Sequence, residues 1–367
     1  MSTQNPAGKD QLMERSTVVD VDVHLGGAIE YEDVGKYLDE PHKSRLLNHS
    51  GPTPLPFSGW DRNSGGKIEE GAHSLANSRE LHQRLCEDFG IDYPVLNTLS
   101  WIPRLPESEF AVEIARAYNE VLLDQFLDEY DHFRGMVTIA TQRPEKAAEE
   151  IDRIGHEDQI VGLYIATGGP DKPLGDPSYD IMYQAASDND LPVVYHGHVD
   201  AFLTDFPRQN QALETYASVS VLGHPWSQML TMTSLIEQGT PVKFPDLDFV
   251  FLEAGLLWAA YTMFRLNKTF SMQPNASPLL EKSPEEYIRD QFYFGTQPIG
   301  EPNDPGMMSH IYDLIGSDSI MFASDFPHWD FDSPSAIGSQ FERNLDQDEI
   351  DRVLHQNAMD VFGITGR

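Results

Sequence analysis

Ionisable residues stand at the carboxyl ends of several apolar segments of this 367-residue chain. Asp22 and His24 close the segment TVVDVDVH, His196 closes LPVVYH, and Asp325 follows SIMFAS. Asp22 and His24 are two residues apart, so their side chains would point to the same side of a strand. Two imidazoles and two carboxylates, if brought together, suit one divalent ion, Zn²⁺ or Mn²⁺, with a position left for water or substrate.

Each of these residues also has an ordinary structural explanation. Asp20 and Asp22 could both be loop or capping carboxylates in an acid-rich protein, and Asp325 could cap the turn that the following Phe-Pro begins. His196 could be a hydrogen-bonded core histidine. Glu253, which closes the apolar segment FVFL, is harder to explain in this way because an unpaired buried carboxylate is costly. The occurrence of ligand-type side chains at four separate strand ends favours a site.

The elements that would position these side chains alternate between strand and helix patterns. Short apolar segments rich in Val, Ile, Phe and Tyr predict eight strands, at 17–24, 93–99, 133–139, 160–166, 191–196, 249–253, 291–296 and 319–325. Helical periodicity lies between them, at 108–129, 144–154, 179–188, 228–238, 255–267 and 306–315.

This alternation predicts an α/β fold with parallel strands. Eight units favour a (β/α)8 barrel, and the first strand is not followed by the GxGxxG expected of a dinucleotide-binding sheet. All carboxyl strand ends of such a barrel open on one face, where its chemistry takes place. The ionisable strand ends would therefore converge.

We predict a single barrel domain, 17–367, after an N-terminal tail, 1–16, and ending in a closing helix from about residue 345. Residues 26–78 are too long and too rich in Gly, Pro and Ser for a plain connection, and we predict an insertion over the barrel mouth. The residues predicted to contact substrate lie in this insertion or beside the strand ends: Phe57, Trp60, Arg62, His198, His328 and Trp329.

The net charge of the chain limits the classes of partner that it can bind. There are 59 acidic and 25 basic residues, a formal net charge of −34, and no basic run that could follow a phosphate backbone. Nucleic acid and anionic membranes are therefore poor partners, and a small-molecule substrate, with or without homo-oligomer formation, is expected. The acid excess is spread along the chain, which favours a halophilic protein over an ordinary acidic one.

The remaining composition indicates a cytoplasmic location. Cys86 is the single cysteine, so the chain cannot form an internal disulfide, and this fits a reducing compartment. No apolar run approaches the ~20 residues of a membrane span, and the polar start MSTQNPAGKDQ lacks the apolar core of a signal peptide.

Longer stretches around these residues resemble the amidohydrolase superfamily, in particular the amidohydrolase-related group that includes aminocarboxymuconate semialdehyde decarboxylase and γ-resorcylate decarboxylase. The order and spacing of the motifs carry the resemblance: DVDVH at 20–24, PLGDPSYDIMYQAASDNDLPVVYHGH at 173–198, GHPWSQM at 223–229, SDFPHWD at 324–330 and QNAMDVFG at 356–363. The resemblance implies a distorted (β/α)8 TIM barrel with one divalent metal. It implies Asp22, His24, His196 and Asp325 as the metal ligands.

Three departures from the family pattern bear on the chemistry. Asp22 stands where the family's first strand has the first residue of HxH or ExH, which indicates an acidic, Mn-like preference. The fourth strand, VGLYIA, has no lysine to form the carbamate bridge of binuclear members, so a mononuclear site is expected. Glu253 stands where many members have a catalytic histidine, which leaves the identity of the acid open.

The leading interpretation is a metal-dependent, non-oxidative decarboxylase of an aromatic or unsaturated carboxylic acid. A metal-dependent hydrolase of a small amide, lactone or ester is the second, and a catalytically inactive barrel that binds a ligand is the third. In decarboxylation a metal offsets the moving charge and a nearby acid protonates carbon. In hydrolysis Asp325 would accept a proton from the attacking water.

His224 and Glu253 are the candidates for the acid. Glu253 could serve if burial raises its pKa, and otherwise it would be a structural partner of Arg265 or Trp258. His224, in GHPWSQM, is either a proton donor or a structural histidine at a helix entrance, with Pro225 as the first helical residue.

Overall fold

Eight parallel strands, side by side in chain order, form the centre of the computed structural model, which describes residues 16–25, 28–48, 77–98, 101–197, 216–328 and 330–365. The strands are β1 (Val19–His24), β2 (Tyr93–Asn97), β3 (Arg134–Thr138), β4 (Ile160–Ala166), β5 (Val193–His196), β6 (Phe249–Leu252), β7 (Phe292–Gly295) and β8 (Ile320–Met321). The Val21 N–H donates to the Phe322 carbonyl, and a parallel bridge joins Val23 to Phe326. The chain after β8 thus returns to β1, and the predicted (β/α)8 barrel is confirmed.

Helices fill the intervals between the strands. Within the described residues they are α1 (Tyr31–Val34), α2 (His42–Leu47), α3 (Ser78–His82), α4 (Ser108–Leu122), α5 (Pro144–Ile154), α6 (Asp180–Asp188), α7 (Tyr216–Glu237), α8 (Thr240–Lys243), α9 (Leu257–Met272), α10 (Pro284–Gln291), α11 (Met308–Ile315), α12 (Pro334–Asn344), α13 (Gln347–Asp351) and α14 (Asn357–Val361). π-Helical turns extend α3 to Phe89 and α4 to Leu127, and join α13 to α14. No helix of the described residues is long and apolar enough to cross a membrane.

Local sequence accounts for the elements that agree with prediction. In α5, Pro144 occupies the first turn, and Ala147, Ile151 and Ile154 recur on one face, which is buried. In β4 all seven residues are buried, as expected for a parallel strand covered on both faces. The predicted limits of α5 and β4 match the structure for these reasons.

The helix that carries His224 begins earlier than predicted. Prediction started it at Gln228, with Pro225 just before, but α7 runs from Tyr216 to Glu237 and contains Pro225 in its interior. The prediction that His224 stands at a helix entrance is therefore wrong. Proline lacks one helical hydrogen bond, yet packing on the barrel can offset the cost of about 3 kcal/mol.

The last strand is shorter than predicted. We expected it to continue to Asp325, but its ladder ends at Met321. Asp325 has φ of 63°, in the left-handed region, and a strand cannot contain that conformation. The segment after β8 instead pairs with β1, where the Asp325 N–H donates to the Asp22 carbonyl at 3.0 Å.

Five predicted substrate contacts, Phe57, Trp60, Arg62, His198 and Trp329, lie outside the described residues. Of the predicted insertion, 26–78, the structure describes 28–48, which carries α1 and α2, and 77–78, where α3 begins. Its position over the barrel mouth stays a prediction.

Candidate metal centre and active site

The first strand presents two of the predicted ligand residues. Asp22 is fully buried, and its Oδ1 accepts a hydrogen bond of 2.7 Å from the Asn97 amide on the neighbouring strand β2. Its other oxygen, Oδ2, is buried and has no hydrogen-bond partner among the described residues. Because an unpaired buried carboxylate oxygen is costly, this atom is suited to bind a cation.

The strand ends of β1, β5 and β8 bring four side chains to one point. His24 Nε2 lies 2.9 Å from Asp325 Oδ1, 3.2 Å from His196 Nε2 and 3.4 Å from Asp22 Oδ1. The donor atoms of Asp22, His24, His196 and Asp325 all lie within 4.8 Å of one another, and all four residues are buried. Atoms at such separations can each lie about 2.0 to 2.2 Å from a shared ion.

The chemistry of this donor set fits a divalent cation. Asp325 Oδ1, like Asp22 Oδ2, is buried without a partner of hydrogen-bond geometry among the described residues, although two imidazole nitrogens approach it. Two carboxylates and two imidazoles together offer hard oxygen and intermediate nitrogen ligands, which suit Mn²⁺ and Zn²⁺. Metal binding would neutralise the two buried carboxylates.

His196 is oriented by its second ring nitrogen. Its Nδ1 lies 2.7 Å from the Gly197 carbonyl and 3.2 Å from Glu253 Oε2, so Nε2 faces the centre. Metal-binding histidines are commonly held in this way, with the other ring nitrogen donating to a carbonyl or carboxylate. The packing is tight, because a Cβ on Gly197 would stand 2.7 Å from the Glu253 carbonyl and 2.9 Å from His224 Nδ1.

Asp20 stabilises the segment that carries the ligand residue Asp325. Its carboxylate accepts the Ser324 N–H at 2.9 Å and the Ser324 hydroxyl, so it holds the segment that leads into Asp325. Burial raises the pKa of Asp20 to about 7, against the opposing effect of the Ser324 hydrogen bonds. Prediction treated Asp20 as part of the DVDVH motif and, like Asp22, as a loop or capping carboxylate. The signal for this role was present, since Asp20 continues the alternation of Asp22 and His24 on one face of β1.

Two acidic residues at the site have an unusual backbone conformation. Glu253 has φ of 56° and Asp325 has φ of 63°, and the only other non-glycine with positive φ in the described chain is Asp190. A residue held in this region costs on the order of 1–3 kcal/mol and persists where its surroundings impose it. The conformation turns the chain at the ends of β6 and β8, so that both carboxylates face the same pocket of histidines.

Glu253 lies among three histidines. Its Oε2 is 3.3 Å from His224 Nδ1 as well as 3.2 Å from His196 Nδ1, and its Oε1 is 3.8 Å from His328 Nδ1. Trp258, an expected alternative partner, instead donates its indole N–H to the Gly255 carbonyl. Among the described residues, the ion-pair partners of Glu253 are these three histidines, and none of them lies on the following helix α9.

The pKa of Glu253 is lowered, whereas Glu253 could act as the acid only if its pKa were raised. Burial by itself would raise the pKa of Glu253, but His224 and His196 outweigh burial and hold that pKa well below its usual range. Glu253 is therefore a carboxylate at neutral pH and cannot donate a proton from that state.

His328 differs from Glu253 in that its positively charged form is favoured. Its Nδ1 lies 2.7 Å from Asp325 Oδ1, and its ring stacks on His24 with centroids 4.2 Å apart. Burial lowers the pKa of His328, but the attraction of Asp325 outweighs it and brings the pKa to about 9. Because its side chain is 38% exposed, His328 also stands closer to solvent than the four buried residues.

His224 is placed by the docking of α7 against the strand ends. Gln228, one turn further along, donates from Nε2 to the carbonyls of Tyr195 on β5 and Leu252 on β6, at 2.9 and 2.8 Å. His224 itself is 7% exposed. Prediction missed Gln228, Asn97 and Gly197, because amides and glycines carry no ligand signal and their importance arises from contacts between distant segments.

The sequence profile described as amidohydrolase matches residues 89–364. The chain belongs to the amidohydrolase family. Among curated relatives, γ-resorcylate decarboxylase of Polaromonas sp. strain JS666 is 24% identical over 307 residues, covering 78% of this chain and 88% of the relative.

Two solved structures illustrate the shared fold of this amidohydrolase. An amidohydrolase from Mycobacterium avium subsp. paratuberculosis has a TM-score of 0.75 at 20% identity, covering 95% of this chain and 99% of the other. The second is 5-carboxyvanillate decarboxylase from Novosphingobium aromaticivorans, complexed with manganese and 4-hydroxy-3-methoxy-5-nitrobenzoic acid. It has a TM-score of 0.72 at 18% identity, covering 99% of this chain and 100% of the other. At these identities the likeness is one of fold.

Proposed function

We propose that this amidohydrolase is a metal-dependent, non-oxidative decarboxylase of an aromatic carboxylic acid. The observation that carries the proposal is the convergence of four buried metal-type donors beside an ionised Glu253 and two further histidines. Family membership and the decarboxylases among its relatives support the choice of reaction.

Asp22, His24, His196 and Asp325 would hold one divalent ion, and the two carboxylates favour Mn²⁺ over Zn²⁺ in this proposal. When bound, the ion would supply positive charge for the substrate carboxylate and an adjacent oxygen. Asp20 holds the Ser324 segment in position, and the Gly197 carbonyl and Glu253 hold the His196 ring.

We assign the proton transfer to His224, with Glu253 as its charge partner. The Glu253 carboxylate lies 3.3 Å from His224 Nδ1, so it orients the ring that would donate the proton and carries the opposite charge beside it. As the bond between the ring carbon and the carboxyl carbon breaks, its electron pair stays on the ring carbon. That carbon takes the proton from His224 and CO₂ departs, after which solvent returns a proton to the histidine.

His328 is assigned to substrate binding. It is the most exposed histidine of the group, and Asp325 keeps it positively charged. A cation at this place would attract the carboxylate or phenolate of an acidic substrate. The predicted contacts Phe57, Trp60, Arg62, His198 and Trp329 complete the proposed substrate site.

The reaction class can be tested on purified protein loaded with Mn²⁺. The panel consists of 2,6-dihydroxybenzoate, 5-carboxyvanillate and other hydroxybenzoates, beside small lactones, esters and amides. We expect CO₂ and the decarboxylated arene in equal amounts, with one deuterium on the ring carbon in D₂O. Acid release from a lactone, ester or amide without CO₂ would favour the hydrolase, and turnover of neither class would favour an inactive, ligand-binding barrel.

We also propose that the protein works in a salt-rich cytoplasm as a single barrel domain with 26–78 as an insertion. A net charge of −34 is repulsive when it is not screened. The melting temperature should then rise steadily as KCl increases from low to molar concentration, beyond the range where ordinary surface pairs are already screened. A flat or falling curve would overturn the halophilic proposal.

A further inference from the structure

A second group of metal-type side chains lies at the other end of the barrel. His82 closes α3, and Cys86 follows it by four residues in the π-helical extension, so the two are neighbours on one side of the helix. His132 lies two residues before β3 begins, at the amino end of that strand. The centre described above lies at the carboxyl strand ends, so the two groups occupy opposite faces.

The donor atoms of this second group are as close as ligands of one ion. His82 Nδ1 lies 3.2 Å from His132 Nε2, which in turn lies 3.4 Å from Cys86 Sγ. All three donor atoms lie within 4.8 Å of one another. A tetrahedral Zn²⁺ with bonds of about 2.0–2.1 Å to nitrogen and 2.3 Å to sulfur separates its ligand atoms by roughly 3.3–3.6 Å.

The His82 ring is turned so that one of its nitrogens faces the other two side chains of this group. The second ring nitrogen of His82, Nε2, lies 3.6 Å from a Glu87 carboxylate oxygen, which leaves Nδ1 facing Cys86 and His132. A carboxylate near the far ring nitrogen is a common neighbour of metal-binding histidines. The His82 ring stacks on Tyr130 with centroids 4.4 Å apart, and His132 stands edge-on to Phe133 at 5.0 Å.

We propose that His82, Cys86 and His132 form a zinc site, with water as the fourth ligand. Thiolate and imidazole are ligands that select Zn²⁺, whereas the carboxylate-rich centre at the other face accepts the harder Mn²⁺. The site would connect the end of α3 to the segment that enters β3, two parts of the chain 46 residues apart at Cys86 and His132. Its function would be structural, because the amino-terminal face of such a barrel serves stability.

The same distances would arise in a hydrogen-bonded cluster without an ion, and metal binding distinguishes the two. The chain has one cysteine, so a thiol reagent reports on this site alone. In full-length protein first loaded with Mn²⁺, we expect one equivalent of Zn²⁺ to slow the reaction of Cys86 with a disulfide reagent at least tenfold. Added Co²⁺ should give the near-ultraviolet absorption of a thiolate–cobalt bond. Unchanged thiol reactivity with Zn²⁺ and the absence of this absorption would overturn the proposal.

Variants separate this site from the proposed active site. Cys86→Ser and His132→Asn should each reduce the Zn²⁺ bound by Mn²⁺-loaded protein from one equivalent to none, while Mn²⁺ content is unchanged. His156→Asn, at a histidine whose side chain is 66% exposed, is the matched control and should bind as wild type does. His196→Ala should lose the centre at the carboxyl strand ends but keep the cobalt absorption. Zinc binding by Cys86→Ser equal to wild type would contradict the assignment.

Discussion

The two ends of the barrel hold clusters of similar residue types in different physical settings. At the carboxyl end, Asp22 and Asp325 are almost completely buried with His24 and His196. At the amino end, the group contains a thiol and no carboxylate ligand, and the His82 side chain is 24% exposed. Buried carboxylates repel one another and lose a large hydration energy, whereas burial of a thiol costs little.

This difference indicates how strongly each end depends on a cation. Histidines surround the buried acids at the carboxyl end, and still two carboxylate oxygens there have no hydrogen-bond partner among the described residues. The group at the amino end is held by hydrogen-bond distances and ring stacking even without an ion. Loss of a ligand should therefore have its largest effect at the carboxyl end.

Replacement of His196 should have the largest effect on function. In His196→Ala the centre loses a ligand and two close carboxylates lose a neighbour, so we expect loss of bound Mn²⁺ and turnover at background level. Elemental analysis and the CO₂ assay measure the two effects. Full Mn²⁺ occupancy in this variant would show that His196 is a core histidine.

Replacement of the proposed proton-transfer pair should reduce turnover without loss of metal. His224→Gln removes the donor and Glu253→Gln removes its charge partner, and loss of a proton-transfer group typically lowers turnover by ~10²- to 10⁴-fold. At saturating Mn²⁺ the metal content should stay at one per chain in both variants. His156→Gln serves as the control at an exposed histidine. Near-normal turnover with a lower melting temperature in Glu253→Gln would give Glu253 a structural function only.

Asp20 should affect metal affinity more than chemistry. In Asp20→Asn, one acceptor for the Ser324 N–H and hydroxyl becomes an NH₂ donor, which loosens the segment that leads to Asp325. Changes in groups that orient ligands typically weaken metal binding by ~10- to 100-fold. We expect the Kd for Mn²⁺ to rise by this factor, while turnover at saturating Mn²⁺ stays close to wild type. A fall in turnover at full occupancy with unchanged Kd would contradict a positioning function.

Asp248, just ahead of β6 at the amino end, should give the smallest effect. Burial alone raises its pKa from 3.8 to about 6, with no histidine to offset it as at Glu253. The folded state therefore binds this proton more tightly than the unfolded state, and the associated stability is lost as pH rises from about 4 through about 6.

Asp248→Asn should remove this dependence. We expect the variant to be more stable than wild type at about pH 8, by less than ~1 kcal/mol because the group is partly solvated, and similar to wild type at about pH 4. Urea unfolding at both pH values measures the difference. An equal gain at both would show that the charge of Asp248 is not the cause.

The repeating pattern of strands and helices was predictable because it depends on local periodicity. The limits of β4 and α5 follow from a continuous apolar run and from an amphipathic face behind Pro144. Prediction was wrong where tertiary contacts outweigh local preference. Pro225 indicates a helix start, yet α7 continues through it. The apolar run predicts a strand that reaches Asp325, yet the β8 ladder ends at Met321 and Asp325 is left-handed.

The sequence by itself determined the barrel and the residue types at its strand ends, because side-chain alternation is local and the succession of strand and helix patterns implies parallel strands. Only the tertiary structure decided how those residues are charged. Burial alone would raise the pKa of Glu253, but three histidines from other segments lower it. The closeness of His132 to Cys86 was likewise decided by packing, because no local pattern relates a helix to a segment 46 residues away.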